Sequence, residues 1–141
     1  MKYALIAIAG MLVAFMPTSS VTFTDVRGTP EADGILIQWT TGQEDGIRDF
    51  AVEKASQLDG QFYQVDGTIS PKGGGSTYQY LDQAIYKTST SSVFKYRIRV
   101  DGTDGSTSYS SEDGITVSYN FSQNLSGVAK RTWGSIKAMF R

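Results

Sequence analysis

The sequence contains neither cysteine nor histidine. Their absence excludes disulfide bonds, thiolate metal ligands, a cysteine nucleophile and the imidazole base that many enzymes use. It does not argue against export, because 40% of the 141 residues are hydrophobic and 12% are aromatic, enough for a core without cross-links. The length predicts one domain with short terminal segments.

A net positive charge is also lacking in the central part of the chain. Residues 1–20 contain one cation and residues 121–141 contain four, and neither segment contains an acid. Of the 13 cations and 14 acids, residues 21–120 therefore hold eight cations and all 14 acids. Because nucleic-acid binding depends on a cationic surface, we expect no nucleic-acid partner.

The N-terminus has the order of a secretory signal peptide. Lys2 is followed by an apolar run over residues 4–16 and by small residues suited to a cleavage site at positions 18–20. As a helix the apolar run is about 20 Å long, short of the ~30 Å hydrocarbon core. We predict a signal helix over residues 1–20 and an exported protein, whether extracellular, periplasmic or on the cell surface. No charged residue occurs between Lys2 and Asp25, so an uncleaved membrane anchor is the alternative.

Short alternating runs separated by turn residues predict seven β-strands between residues 21 and 120. In residues 93–101, apolar side chains alternate with cationic ones, which predicts a strand with one buried and one wet face. No helical periodicity occurs in residues 21–120. The glycine-rich residues 70–76 predict a mobile loop, and the Asp-Gly pairs of residues 101–105 predict a hairpin turn. The predicted core side chains are Trp39, Phe50, Val52, Tyr96 and Ile98.

Five short motifs together resemble a fibronectin type III-like domain of the kind found in exported bacterial surface proteins. They are W-T-T-x-x-E from Trp39, F-x-V-E-K from Phe50, Y-x-Y-x-D from Tyr78, Y-R-I-x-V-D from Tyr96 and Y-S from Tyr109. The resemblance covers residues 21–119 and implies a seven-stranded immunoglobulin-like sandwich, with Trp39 on its second strand and Tyr96 on its sixth. It also implies a binding or structural module without catalytic activity. The Arg-Gly-Asp tripeptide of adhesive relatives is lacking.

Acidic residues cluster in three predicted turns, at positions 44–45, 101–104 and 112–113. Paired carboxylates serve as general acid and base or bind calcium, but only where the fold gathers them. The turn of residues 101–105 lacks the spacing and closing glutamate of a calcium loop. The chain has neither a G-x-S-x-G elbow nor a phosphate loop. We predict no catalytic residues, no metal ligands and no cofactor, and hence no enzyme.

Two further groups allow a binding interpretation. Lys95, Arg97 and Arg99 suit an anionic polymer, but like charges two apart on a strand usually face acids on the neighbouring strand. We therefore interpret them as solvated surface. A group of four tyrosines suits sugar rings or a protein partner when exposed and fills a twisted sheet when buried, and we favour the buried interpretation. The group consists of Tyr63, Tyr78, Tyr80 and Tyr86.

The C-terminal residues 121–141 have a different character from the rest. A polar linker is followed by helical spacing of apolar and cationic side chains, at Lys130, Arg131, Trp133, Ile136, Lys137, Phe140 and Arg141. A short cationic amphipathic helix suits a membrane interface or the groove of a partner protein. Packing on its own sandwich and disorder are the alternatives. We predict an interaction or sorting segment.

These observations predict an exported binding or structural module that acts through protein–protein or cell-surface contacts. A membrane-anchored envelope protein, held by its N-terminal helix and its basic tail, is the first alternative. A carbohydrate-binding module is the second and less favoured one.

Overall fold

A computed structural model describes residues 18–56, 60–87 and 92–120 of the protein. These residues form two antiparallel β-sheets that share one hydrophobic core, which confirms the predicted all-β class. Most of the predicted signal helix, residues 1–17, lies outside the described residues, as does the predicted C-terminal helix within residues 121–141.

Three strands form the first sheet. They are β1 (Ser20–Glu31), β2 (Gly34–Asp45) and β5 (Thr77–Asp82), with β2 in the centre. The second sheet contains β3 (Ile47–Ser56), β4 (Tyr63–Gln64), β6 (Ser92–Gly102), β7 (Thr107–Tyr109) and β8 (Ile115–Tyr119). In it β3 pairs with β4 on one side and β6 on the other, and β6 pairs with β7 and β8.

The alternation of apolar and polar residues along each strand determines which side chains form the core. Side chains two residues apart on a strand point to the same face, so one set from each strand meets the opposite sheet. On β2 the buried set begins with Ile35 and Ile37, both without exposed surface. All five predicted core side chains are buried: Trp39, Phe50, Val52, Tyr96 and Ile98.

Three aromatic rings join the two sheets. Trp39 of β2 and Tyr78 of β5 stack nearly parallel, with ring centroids 5.2 Å apart and an interplanar angle of 8°. Phe50 of β3 contacts both from the second sheet, with centroid distances of 6.2 Å to Trp39 and 5.1 Å to Tyr78. Such ring pairs add about 0.5–1.5 kcal/mol each to the effect of burial. This aromatic trio is therefore a major contact between the sheets.

A β-bulge changes the face of the first strand. Strict alternation from Val21 predicts that Asp25 shares a face with Phe23, and that Val26 faces the other way. In the structure the pairing with β2 shifts between Phe23 and Asp25, so that one extra residue is inserted there. Val26 consequently packs against the core together with Phe23, while Asp25 is exposed.

Two short irregularities interrupt the strands. A 3-10 helix at Gln83–Lys87 follows β5, although the sequence predicts no helix there. Asp82 caps it, because its Oδ1 accepts a hydrogen bond of 3.0 Å from the backbone N–H of Ala84. The predicted interruption of the last strand separates β7 from β8. Within the described ranges, no helix has the length and hydropathy needed to cross a membrane.

The chain enters and leaves the sandwich at opposite ends. Ser20, the first residue of β1, pairs with Asp45, just before the turn that leads into β3. Tyr119, the last residue of β8, pairs with Ser92 at the beginning of β6. The beginning of β6 and the beginning of β3 lie at opposite ends of the second sheet, because these two strands are antiparallel.

The aromatic trio generates a stability prediction. We expect Trp39→Ala to lower the free energy of unfolding by about 3–5 kcal/mol, because it removes a fully buried ring and leaves a cavity. Trp39→Phe keeps a ring against Tyr78 and removes an indole N–H that has no partner among the described residues, so its loss should be clearly smaller. Urea unfolding of both variants tests this, and equal losses would contradict it.

Candidate functional site

A cavity opens beside the short edge strand β4. Its volume is about 320 Å³. Strand β4 pairs with β3, through Gln64 opposite Glu53 and Tyr63 opposite Lys54. The cavity lies where β4, the end of β3, the beginning of β6 and the 3-10 helix meet, and its lining consists of Lys54, Ser56, Tyr63, Gln64, Val65, Ala84 and Phe94.

The cation of this cavity is already neutralised. The amino group of Lys54 lies 2.8 Å from Oδ2 of Asp82 and 5.4 Å from the ring centroid of Phe94. The same oxygen of Asp82 accepts a hydrogen bond of 2.8 Å from the hydroxyl of Tyr96. Burial, together with the charge and hydrogen bond of Asp82, raises the pKa of Tyr96 far above its ordinary value, so this hydroxyl stays protonated and acts as a donor. The charge of Lys54 is therefore used in a contact that stabilises the fold.

Tyr63 is the exposed aromatic residue of this edge. Its relative exposure is 57%, and it is the large hydrophobic side chain that stands out on the described surface. Its hydroxyl donates a hydrogen bond of 2.6 Å to Oε1 of Gln61. An exposed ring held at its polar tip, next to an apolar cavity, is suited to a side chain or ring of a binding partner.

A network of charges covers the outer face of the second sheet. Glu53 of β3 is buried and pairs with two guanidinium groups of β6: its Oε2 lies 2.8 Å from Nε of Arg97 and its Oε1 lies 3.1 Å from Nη1 of Arg99. Nη2 of Arg99 lies 3.1 Å from Oδ2 of Asp101 and 3.0 Å from Oε1 of Gln64. We define these five side chains as the Glu53 network.

Two aromatic rings complete the shielding of Arg97. Its guanidinium carbon lies 4.1 Å from the ring centroid of Phe62 and 3.7 Å from that of Tyr109. The side chain is 14% exposed. For Arg99, burial opposes the charge, but hydrogen bonds and charges of Asp101 and Glu53 outweigh it and raise the pKa. The contacts agree with the expectation that acids lie across from these cations. The interpretation of these cations as solvated surface does not hold for Arg97 and Arg99, because both side chains are largely covered.

The glycine-rich loop is tied to the sandwich through Glu44. Oε1 of this residue accepts hydrogen bonds from the hydroxyls of Thr41 at 2.5 Å and Tyr78 at 2.7 Å, and Oε2 accepts one from the backbone N–H of Gly73 at 2.9 Å. The hydroxyl of Tyr78 in turn accepts a hydrogen bond of 2.6 Å from the N–H of Lys72. The loop predicted to be mobile is thus anchored by side chains of β2 and β5.

These contacts shift two pKa values in opposite directions. Partial burial acts to raise the pKa of Glu44, but hydrogen bonds from Thr41, Tyr78 and the backbone of Gly73 and Lys72 outweigh it, so that the net shift is downward. For Tyr78, burial and the carboxylate of Glu44 raise the pKa of the phenol. Both groups therefore keep their donor and acceptor roles at neutral pH.

The structure distributes the predicted acidic clusters among separate structural tasks. Glu44 anchors the glycine-rich loop, Asp101 pairs with Arg99, and Asp104 accepts hydrogen bonds within its own turn. In the part of the chain that is described, no three acidic side chains come together in a way that would hold a metal ion. Of the tyrosine group, Tyr78 is buried, Tyr80 is half-buried and Tyr63 is exposed. The side chain of Tyr86 and the predicted tail residues 130–141 lie outside the described set.

Comparison with known proteins gives no assignment: no family model matches the chain, and no curated protein matches it. The cavity beside β4 and the exposed ring of Tyr63 are the features of the described surface best suited to binding.

Removing the central acid of the Glu53 network should destabilise the fold. Glu53→Gln leaves Arg97 and Arg99 partly buried without their shared counter-charge, and we expect a loss of about 2–4 kcal/mol, less than for a fully buried pair because both cations keep some solvent contact. Glu112 is the matched control, since it is 82% exposed and lies 3.8 Å from Arg97. Its change to Gln should cost less than about 1 kcal/mol in the same urea titration.

The Glu44 contacts should make stability depend on acid. The ordinary pKa of a glutamate carboxyl group is 4.5, and in the folded state the pKa of Glu44 is lower. The stability that this shift contributes is present at pH values above 4.5 and is lost as the pH falls through the folded-state pKa. Between about pH 6 and about pH 3, the wild type should therefore lose more stability than Glu44→Gln. Glu31→Gln, an exposed change at the end of β1, should follow the wild type. Parallel loss in the wild type and Glu44→Gln would contradict the assignment.

Proposed function

We propose that the protein is an exported binding or structural module with a fibronectin type III-like fold, acting without catalysis through protein–protein or cell-surface contacts. The strand arrangement supports the fold part of this proposal. The first, second and fifth strands form one sheet, while the third, fourth and sixth strands and the divided last strand form the other. This division, with a buried tryptophan on the second strand, agrees with the family that the sequence resembles.

The contact between Tyr96 and Asp82 gives further support. It links the first half of β6 to the end of β5, which belongs to the other sheet. A tyrosine near the beginning of the sixth strand that hydrogen-bonds back to this corner is typical of immunoglobulin-like sandwiches. Here the acceptor is a side-chain carboxylate.

The single observation that carries the proposed function is the exposed ring of Tyr63 beside the cavity. Strand β4 is two residues long and has β3 as its only strand neighbour among the described residues. An edge strand of this kind can pair with an extended segment of a partner, whose side chain then enters the adjacent cavity. The charged groups nearest the cavity, Lys54 and Asp82, are paired with each other, which favours recognition by shape and apolar contact.

The C-terminal segment supplies the second contact in this proposal. Strand β8 ends at the end of the sandwich that also holds Ser92 and Phe94, and Phe94 lines the cavity. Its aromatic and cationic side chains, including Trp133, Lys137 and Phe140, suit a groove or an anionic membrane surface. The edge of β4 would give specificity and the tail would give location.

Binding of the purified, exported full chain to envelope preparations of its host tests this function. We expect Tyr63→Ala to weaken binding about tenfold or more, as truncation of a central aromatic contact does, while leaving stability nearly unchanged because the ring is exposed. Thr29→Ala, an exposed change on β1 in the other sheet, is the control and should bind normally.

Deletion of residues 121–141 separates the two contacts. If the deletion abolishes binding while Tyr63→Ala binds normally, the tail docks the protein and the β4 edge does not take part. If binding is lost in the presence of free oligosaccharide, the partner is a carbohydrate. Undiminished binding of Tyr63→Ala and of the deletion variant together would refute the proposal.

A further inference from the structure

The beginning of β1 is fastened to two turns at one end of the sandwich. The backbone N–H of Ser19 donates a hydrogen bond of 3.0 Å to Oδ2 of Asp104. The hydroxyl of Ser19 lies 2.7 Å from Oδ1 of Asp104 and 2.9 Å from the carbonyl oxygen of Gly46, so its one proton is shared between them. Asp104 lies in the turn between β6 and β7, and Gly46 lies in the turn between β2 and β3. Only the folded domain brings these positions together.

The receiving turns are organised around this contact. Ser106 donates to Oδ1 of Asp104 from its backbone N–H at 2.9 Å and from its hydroxyl at 2.5 Å. Thr103 donates to the carbonyl oxygen of Gly46 from its N–H at 2.8 Å. We call Ser19, Gly46, Thr103, Asp104 and Ser106 the Ser19 clamp. The hydrogen bonds from Ser106 and Ser19 hold the pKa of Asp104 well below its ordinary value, so the carboxylate remains charged over a wide pH range.

Glycine at position 102 is required for the fit of the clamp. A Cβ atom there would collide with the hydroxyl of Ser19 and would lie 2.5 Å from Oδ1 of Asp104 and 2.6 Å from the hydroxyl of Ser106. Real Cβ atoms do not approach other atoms this closely, so any side chain would displace Ser19. The backbone of β6 thus leaves room for Ser19 at this end of the sandwich.

We infer that the leader is removed on the N-terminal side of Ser19, so that Ser19 stays on the mature domain and is held by Asp104. This inference rests on the export proposed above. This inference differs from the predicted signal segment of residues 1–20, whose small residues at positions 18 and 20 suit a cut after Ser20. That cut would discard Ser19, take two donor groups away from Asp104 and delete the pairing of Ser20 with Asp45.

A cut at the Thr18–Ser19 bond is the case that the clamp suits best. Hydrolysis of this bond consumes one water and leaves a carboxylate on Thr18 and an ammonium group on Ser19. The nitrogen that now lies 3.0 Å from Oδ2 of Asp104 would then carry a positive charge. The present bond is already assisted by the charge of the carboxylate, and the ammonium group would add the attraction of an ion pair, so the folded domain would hold the processed end more firmly than the unprocessed chain.

The start of the exported protein tests the inference. The full chain is produced in a bacterial host that can export it, and the purified exported protein is characterised by N-terminal sequencing and intact mass. We expect a first residue at Ser19 or at a processed position before it. A start at Ser20 or Val21 in a protein that has been exported would overturn the inference and leave the proposed export intact. An intact Met1 on a protein that has not left the cell would overturn both.

Resistance to an aminopeptidase tests the clamp itself. Trimming of the exported protein should stop at Ser19, because the folded domain holds this residue. Asp104→Asn replaces the charged acceptor, and we expect Ser19 to be removed about tenfold faster, as the loss of a hydrogen bond to a charged group implies. Asp113→Asn, an exposed change in the turn before β8, should behave as the wild type. Equal rates for the wild type and Asp104→Asn would show that Asp104 does not hold Ser19.

Discussion

The fold depends above all on the contact of Phe50 with the stacked rings of Trp39 and Tyr78, because this contact joins the two sheets. It is also the point where core and surface are connected. The ring of Tyr78 belongs to the core, while its hydroxyl reaches Glu44 and accepts the N–H of Lys72. The same residue therefore sets the spacing between the sheets and the position of the glycine-rich loop. A chain without disulfide bonds obtains in this way a link between its interior and a long connection.

Two buried acids near the core each bind two partners. Asp82 receives both Tyr96 and Lys54, and Glu53 receives both Arg97 and Arg99. An unpaired charge at these depths would cost more than any surface interaction returns, so the paired arrangement is a condition for folding. The consequence for function is that Glu53, Arg97 and Arg99 are committed to one another, and Lys54 is committed to Asp82. Around β4, the described surface offers a partner the cavity and the exposed ring of Tyr63.

The sequence predicts the faces of β2, β3 and β6 because alternation follows from strand geometry alone, and Trp39, Phe50 and Tyr96 accordingly lie in the core. It does not predict the bulge that turns Val26 inward, since a bulge depends on how β1 pairs with β2. Nor does it predict that Glu53 lies between Arg97 and Arg99, which requires the register of β3 on β6. Tyr63 could be identified as one tyrosine of a group, but its exposure follows from the shortness of β4, which no local pattern indicates.

The beginning of β1 and the end of β8 lie at opposite ends of the sandwich, and this has a mechanical consequence. Strand β6 contains 11 residues, so the sandwich is about 35 Å long from one end to the other. A pull applied between Ser19 and Tyr119 runs parallel to the strands. It loads the hydrogen bonds of β1 with β2, and those of β8 with β6, side by side in shear, and does not peel them apart one after another. A domain tethered at one end and attached at the other would therefore transmit tension as a stiff spacer.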